Sequence, residues 1–194
     1  MRRAKIRAMR NIANTIGGLI AIIFLFIASV YAAEYITQNE FAKMLIDQFG
    51  YIGMLVIGYV SGLNFVVPIP GPTFTPIFLA AGFPLAGIVA ALSVGSLLAD
   101  LTAYFLGYFG RTYTEQIGSA WYRRIQKLYD RNTLILPLFI FLYVIFAPLP
   151  NEIIVIPLSL LGYQLQKLIL PLALGTVLHV ALLSYGATQL LEAT

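Results

Sequence analysis

This sequence contains no cysteine, a single histidine and few charged residues. The missing cysteines exclude disulfide bonds and cysteine-ligated metals. One histidine excludes a multi-histidine metal site within one chain, and we expect no cofactor of any kind. Charged residues make up 10% of the 194 residues, against about 25% in an ordinary soluble domain. A chain with so few charged residues is not expected to contain a sizeable soluble domain.

Apolar residues are abundant where charged residues are few. They make up 60% of the chain, the mean hydropathy is +0.87, and long uncharged runs recur. This composition predicts one all-α integral membrane domain over residues 1–194. The net charge of +4 comes from two basic clusters beside apolar runs and not from one soluble face, so nucleic-acid binding is not expected.

The two basic clusters predict the orientation of the chain. Residues 1–10 carry five basic residues and no acid, and residues 11–33 carry no charge. A cleaved signal peptide is one interpretation. However, Tyr31 would occupy a small-residue position before a cut after Ala33, so we predict a retained anchor helix in 1–33 with a cytoplasmic N-terminus. Residues 111–131 predict a cytoplasmic amphipathic linker on the membrane surface, with contacts from Arg111, Trp121, Arg123, Arg124 and Lys127.

Two apolar segments, eighty positions apart, are broken in the same way. The first contains Pro68, Pro70, Gly71 and then Gly82, and the second contains Pro148, Pro150, Asn151 and then Gly162. Short, Pro/Gly-interrupted hydrophobic segments at equivalent places in two halves indicate a transporter-type binding site. The alternative is that the prolines only kink helices for packing.

The charge pattern and the repeat together predict a topology. Both basic segments are expected inside the cell, so an even number of complete crossings separates them. We predict a re-entrant hairpin followed by a transmembrane helix in 41–109, and the same unit, inverted, in 133–190. The competing topology makes 41–65 a full crossing and places the linker outside.

Three ionisable side chains lie in otherwise apolar runs, where such residues mark pathways or proton relays. They are Asp100, Glu152 and His179. The repeat offset maps His179 next to Asp100, which predicts that the two side chains pair directly or through water. The alternative for His179 is a hydrogen bond to a neighbouring carbonyl. A charged Glu152 would repel a phosphate and a protonated one would not, although it could instead only cap its helix.

Three uncharged polar residues complete the set of residues predicted to line the transport site. Thr73 and Asn151 are expected to cap short helices after the two breaks, whose N–H groups favour an anionic headgroup. Asn64 is expected either to line the first hairpin or to hydrogen-bond between helices. Glycines before and after these segments are expected to permit close helix packing.

The chain resembles the DedA family of membrane proteins, also called SNARE-associated or VTT-domain proteins, over about residues 45–190. The resemblance lies in Pro68-Ile69-Pro70-Gly71 with Ala81-Gly82, in Asp100, Tyr104, Gly107 and Gly110, and in Pro148-Leu149-Pro150-Asn151-Glu152 with Gly162. It implies two opposed re-entrant hairpins that move lipids between leaflets, by phospholipid scrambling or return of polyprenyl-phosphate carriers, with dependence on the proton-motive force. The chain departs from the bacterial pattern near Leu63 and Pro72, where acids are usual, and at Ala147 and Ile153, where arginines are usual.

We therefore expect a lipid transporter and not an enzyme. Its expected partners are membrane lipids with anionic or phosphate-bearing headgroups, together with protons, and a homo-oligomer remains open. The expected location is a prokaryotic plasma membrane. The alternatives are a small proton-coupled solute exporter and a non-transporting membrane scaffold. Catalysis is disfavoured because no nucleophile motif or metal constellation is present.

Overall fold

The computed structural model describes residues 38–63, 70–117, 135–147 and 150–192, together with positions 24, 27, 28 and 31. Every regular element in these ranges is helical, which confirms the predicted all-α class. The helices are α1 Glu40–Gly62, α2 Thr75–Ala80, α3 Leu85–Ile117, α4 Ile135–Phe146, α5 Glu152–Leu160 and α6 Leu165–Glu192, and a 3₁₀ turn Gly71–Phe74 precedes α2. The predicted anchor helix lies outside the described ranges, apart from the four single positions.

The first hairpin consists of α1 and the returning segment Gly71–Ala80. A Cβ atom built on Gly71 would lie 2.8 Å from Ser61 Oγ near the end of α1, whereas Phe83 packs against Gly50 near its middle. The chain therefore returns along about eleven residues of α1, or roughly 16 Å at 1.5 Å per residue. Pro72 and Pro76 are the second residues of the 3₁₀ turn and of α2, where a fixed φ favours helix initiation.

Helix α1 runs parallel to α3 and approaches it through glycine. Gly58 packs directly on the backbone of Leu92, and Gly95 packs directly on the backbone of α1. Further along, a Cβ atom on Gly62 would lie 2.5 Å from Ala99 Cβ. The expected role of Gly58 and Gly62 in close packing is confirmed, whereas Gly53 of the same helix faces open space.

The second hairpin consists of α4 and α5, which lie against different long helices. Helix α4 runs parallel to α6, because Gly175 contacts Val144 and the ring of His179 contacts the carbonyl of Ile145. Helix α5 runs parallel to α3, because Gly107 contacts Ile156 and Ser159 and Gly110, one turn later, contacts Leu160. The first hairpin likewise contacts α6 through Thr75, which bonds to Ser184.

The backbone repeats the same turn at an offset of eighty. Gly82 and Gly162 both have positive φ, at +90° and +80°. After each, an aromatic N–H returns to a carbonyl five residues earlier, at 3.1 Å for Phe83 to Phe78 and 2.9 Å for Tyr163 to Leu158. Each glycine N–H bonds a carbonyl three residues earlier. This is the Schellman helix ending, which requires a left-handed residue and therefore favours glycine.

The long helices that follow these turns, α3 and α6, run antiparallel. Ala103 and Tyr104 share one apolar cluster with Leu168 and Leu172, whereas the earlier part of α3 shares a second cluster with Val180. The segments Leu85–Gly110 and Leu165–Gln189 are long and apolar enough to cross a bilayer. Helix α3 continues to Ile117, beyond the apolar segment that ends at Gly110. No glycine or proline interrupts residues 111–117, and charge alone does not end a helix.

Candidate functional site

The two broken segments converge on adjacent residues of α3. The end of α1 packs its Gly62 on Ala99. The start of α5 places its Asn151 against the next residue, Asp100. Both contacts lie within the apolar 26-residue stretch of α3. The end of α1 and the start of α5 therefore contact adjacent positions of one apolar helix.

Asp100 and Asn151 form the direct contact at this point. The Asn151 side-chain amide donates to Asp100 Oδ2 at 3.2 Å, and Asp100 is only 1% exposed. Asn151 holds the predicted N-cap position of α5, but its side chain makes no capping hydrogen bond, since it is turned towards Asp100. The predicted position of this residue is confirmed, and its side chain links the second hairpin to α3.

Glu152 adds a second carboxyl group to the site. It is the first residue of α5 and is 4% exposed. It lies within electrostatic range of both Asp100 and Tyr143, and the Tyr143 hydroxyl donates to the Pro150 carbonyl at 3.2 Å. We call Asp100, Tyr143, Asn151 and Glu152 the polar junction. Its groups accept and donate hydrogen bonds and exchange protons, but they include no activated nucleophile.

Tyr104 lies beyond the polar junction on α3 and fixes the turn after α5. Its hydroxyl donates to the Tyr163 carbonyl at 2.8 Å, while its own carbonyl accepts from the Ser159 hydroxyl at 2.5 Å. These two bonds hold the last turn of α5 and the turn that follows it against α3. The family resemblance led us to expect Tyr104 on the transport pathway. In the structure, its hydrogen bonds join α3 to the end of the second hairpin.

His179 and Asp100 bond to different partners. His179 Nδ1–H donates to the Ile145 carbonyl, 2.9 Å away, in the last turn of α4, as the alternative interpretation expected. Because α3 and α6 are antiparallel, Asp100 is level with about Leu172, and His179 lies roughly seven residues further, or about 10 Å. A direct Asp100–His179 pair is not among the described hydrogen bonds, and we do not include it in the site.

The returning segment of the first hairpin begins with buried residues. Pro70 is the N-cap of the 3₁₀ turn, and Gly71 and Thr73 within the turn are buried. Thr73 is not the helix cap that we expected, because Phe74 precedes α2 at that position. The local reason is the 3₁₀ turn, which starts the helical segment before Thr73. Among the described residues, this hairpin contacts α6 through the buried pair Thr75 Oγ1 and Ser184 Oγ, 3.0 Å apart.

Two buried hydroxyl groups extend polarity along the long helices. Within the described ranges, Ser93 Oγ and Thr176 Oγ1 have no hydrogen-bond partner, and each residue is 4% exposed. Ser93 precedes Asp100 by two helical turns and so lies on the same face of α3. Such groups are usually hydrogen-bonded in native proteins, often by water. This face of α3 is therefore polar both at the junction and before it.

Several predicted site residues cannot be placed. Asn64, Pro68, Pro148, Trp121, Arg123, Arg124 and Lys127 lie outside the described residues. Arg111 lies in α3, and nothing is described of its side chain. In the described ranges no group of three or more histidine, aspartate or glutamate side chains is placed to hold a metal.

Tyr143 and the Thr75–Ser184 pair were not predicted from the sequence. Tyr143 is a polar residue in an apolar run, seven positions before Pro150. That position could have identified it as a candidate site residue. No comparable signal identified Thr75 and Ser184, because only the folded structure shows which faces of α2 and α6 meet.

Comparison with known proteins gives one partial relative. No protein-family model matches the chain, and no solved structure matches it. A segment of 55 residues is 38% identical to the uncharacterized protein YphE of Bacillus subtilis (strain 168), covering 28% of this chain and 78% of YphE. Over that segment, this chain belongs to the same family as YphE.

Proposed function

We propose that this protein is an integral membrane transporter that passes lipids between leaflets through two opposed re-entrant hairpins. The observation that carries the proposal is the convergence of the end of α1 and the start of α5 on Ala99 and Asp100. Interrupted helices that meet inside an apolar domain are the usual framework of a transport site. Non-helical backbone at membrane depth is tolerated only inside protein or beside water.

The dimensions of the hairpins support the re-entrant interpretation. A return of roughly 16 Å covers about half of a 30 Å hydrocarbon core, whereas α3 and α6 are long enough to cross it. Large apolar side chains on the outer faces are also exposed, including Phe109 at 71% and Phe146 at 72%. Such faces are expected against lipid and are unusual in water.

The chemistry of the polar junction limits how a phosphate headgroup can pass. Asp100 and Glu152 are buried carboxyl groups within electrostatic range of each other. When both are charged they repel an anionic headgroup, and a proton on either carboxyl reduces this repulsion. This is the physical reason for proton coupling in the proposal. The proposed location is a prokaryotic plasma membrane with the N-terminus in the cytoplasm.

Lipid exchange in proteoliposomes tests this function. Fluorescent phospholipid and labelled polyprenyl phosphate would be followed separately, with and without a pH gradient. Asp100→Asn/Glu152→Gln is expected to abolish the effect of a pH gradient on exchange, since neither side chain of the polar junction can then gain or lose a proton. Glu40→Gln, which neutralises an exposed acid at the start of α1, is the control and should leave exchange unchanged.

The alternatives predict different results in the same assay. No exchange of either lipid by folded wild-type protein would reject the lipid proposal. Uptake of a small solute along a pH gradient would then support the exporter. If the folded wild-type protein shows neither lipid exchange nor solute uptake, the result would indicate a scaffold.

A further inference from the structure

We propose that Ser93 and Thr176 bind water between α3 and α6, and that this water carries protons to Asp100. The role of the protons rests on the proposed function, whereas the presence of the water is tested without lipid transfer. The inference is drawn from two buried hydroxyl groups that make no hydrogen bond within the described residues.

The two hydroxyl groups behave differently from another hydroxyl of the same long helices. A serine or threonine in a helix can bond to a carbonyl of the preceding turn. Thr102 of α3 does so, donating to the Leu98 carbonyl at 2.9 Å even at an exposed position. Ser93 and Thr176 make no such bond, although each is only 4% exposed. An unpaired hydroxyl is costly inside protein or lipid, so each is expected to bond to a group from outside its own helix.

Both residues lie on the buried faces that α3 and α6 turn towards the core. Thr176 lies one turn after Leu172 and one turn before Val180, and these two residues belong to the apolar clusters that α6 shares with α3. Residues four apart in a helix share a face, so Thr176 points into the same interface. Ser93 lies two turns before Asp100 and shares its face of α3.

The two hydroxyl groups and Asp100 lie at successive levels of this interface. Asp100 is level with about Leu172, so Thr176 lies about four residues nearer to the start of α3, or roughly 6 Å. Ser93 lies about three residues further in the same direction, or roughly 4.5 Å. A water that makes two hydrogen bonds of about 2.8 Å spans roughly 5 Å. One or two waters therefore cover each step from Ser93 through Thr176 to Asp100.

Water at these levels gives the buried carboxyl a route for protons. Asp100 is 1% exposed, so a proton reaches it from bulk water only through other groups. Each water accepts a proton from one neighbour and releases one to the next, and the Asp100 carboxylate accepts the last. The ionisable groups described around this route are Glu152 of α5, Tyr143 of α4 and His179 of α6, whose Nδ1 bonds to the Ile145 carbonyl.

Cysteine reactivity in phospholipid nanodiscs tests for the water. The chain has no cysteine, so each variant carries a single thiol. Silver ions bind the thiolate form, which needs water around it, and the thiols left unbound are counted with a maleimide after denaturation in SDS. Ser93→Cys and Thr176→Cys should react at least about ten-fold faster than Leu92→Cys and Leu172→Cys, which replace fully buried apolar side chains. Equal rates in folded variants would overturn the inference.

Removal of one hydroxyl without a change of shape gives a second test of the water. If the Thr176 hydroxyl bonds to water, Thr176→Val loses that bond and the midpoint of thermal unfolding in nanodiscs should fall. If the hydroxyl has no partner at all, valine removes the cost of burying it and the midpoint should rise. A rise or an unchanged midpoint would contradict the binding of water at this position.

The response of lipid exchange to a pH gradient tests the proton route. Ser93→Ala/Thr176→Val should reduce the ratio of exchange with and without the gradient at least about five-fold. The control is Ser96→Ala at the repeat-equivalent position of Thr176, because the Ser96 hydroxyl already donates to the Gly58 carbonyl at 3.2 Å. This control should keep the wild-type ratio.

The outcomes separate this inference from the proposed function. A full gradient response in the double variant, or a wild type that does not respond to the gradient, would show that the proton route is wrong. No lipid exchange by the folded wild type would reject the proposed function. In both cases the silver rates still decide whether Ser93 and Thr176 bind water.

Discussion

The hydrogen bond between Asp100 and Asn151 joins α3 to the start of α5, and the two residues are 51 positions apart in the chain. A hydrogen bond of this kind contributes about 1–3 kcal/mol when one partner is charged or buried. We expect a double-mutant cycle of Asp100→Ala and Asn151→Ala to give a coupling free energy in that range. The measurement is unfolding by SDS titration in mixed micelles.

The control cycle uses an exposed hydrogen bond of the same chain. Tyr59 and Thr102 are joined at 3.3 Å on the exposed side of α1 and α3. Tyr59→Phe with Thr102→Val should couple by less than about 0.5 kcal/mol, because an exposed bond is replaced by water. A coupling of zero for Asp100 and Asn151 would show that the second hairpin is not held at this point.

The two turn glycines are expected to tolerate substitution poorly for a purely conformational reason. A Cβ atom on Gly82 would meet nothing within 4 Å, but its φ is +90°. Alanine at φ above zero costs about 1–2 kcal/mol, so Gly82→Ala should lower the free energy of unfolding by that amount. Gly82→Asn should lose less, since asparagine adopts left-handed conformations more readily. Equal stability of the alanine and asparagine variants would contradict this explanation.

At the scale of single residues, the sequence singled out Asp100 and Glu152, which lie within electrostatic range of each other, while the pairing of Asp100 with His179 stays a prediction. Asp100 and Glu152 stood out because ionisable side chains are rare in apolar runs. The pairing with His179 assumed that repeat-equivalent residues share a depth. Between two antiparallel helices, repeat-equivalent residues share a depth at one level only. Asp100 lies on one side of that level and His179 lies on the other.

The packing of α1 on α3 gives opposite expectations for two glycines of the same helix. A Cβ atom on Gly58 would overlap the Leu92 carbonyl, which cannot move without shifting α3. Gly58→Ala should therefore destabilise the protein by about 1–3 kcal/mol. Gly53 faces open space, so Gly53→Ala should stabilise it by up to about 1 kcal/mol through helix propensity.

Thermal unfolding in one detergent measures both glycine variants against the wild type. The opposite signs are the informative result, because both substitutions add one methyl group to α1. A similar loss of stability in both would mean that the second glycine is also covered, for example by another copy of the chain.

At the scale of elements, the repeat could be read from the sequence because prolines and glycines are local signals. The turns at Gly82 and Gly162 follow from one residue each and recur with the same hydrogen bonds. The end of α3 could not be read in the same way. The change from apolar to charged residues at Arg111 indicates where the apolar environment ends, but the helix continues to Ile117.

At the scale of the whole molecule, the antiparallel course of α3 and α6 places the two turns at opposite ends of the molecule. Pro84 and Gln164 follow these turns, are both exposed, and are eighty positions apart. With the N-terminus in the cytoplasm, an inverted repeat puts Pro84 outside the cell and Gln164 inside. A direct repeat, or a first hairpin that crosses completely, would not separate them in this way.

Labelling of single cysteines decides between these topologies. In right-side-out vesicles, an impermeant maleimide should label Pro84→Cys at once and Gln164→Cys only after permeabilisation. The wild type supplies the background, since it has no cysteine. Labelling of both variants from the same side would exclude opposed hairpins, and with them a site that opens alternately to the two leaflets. Labelling in the reverse order would keep the inverted repeat and show that the basic residues at the N-terminus do not set the orientation of the chain.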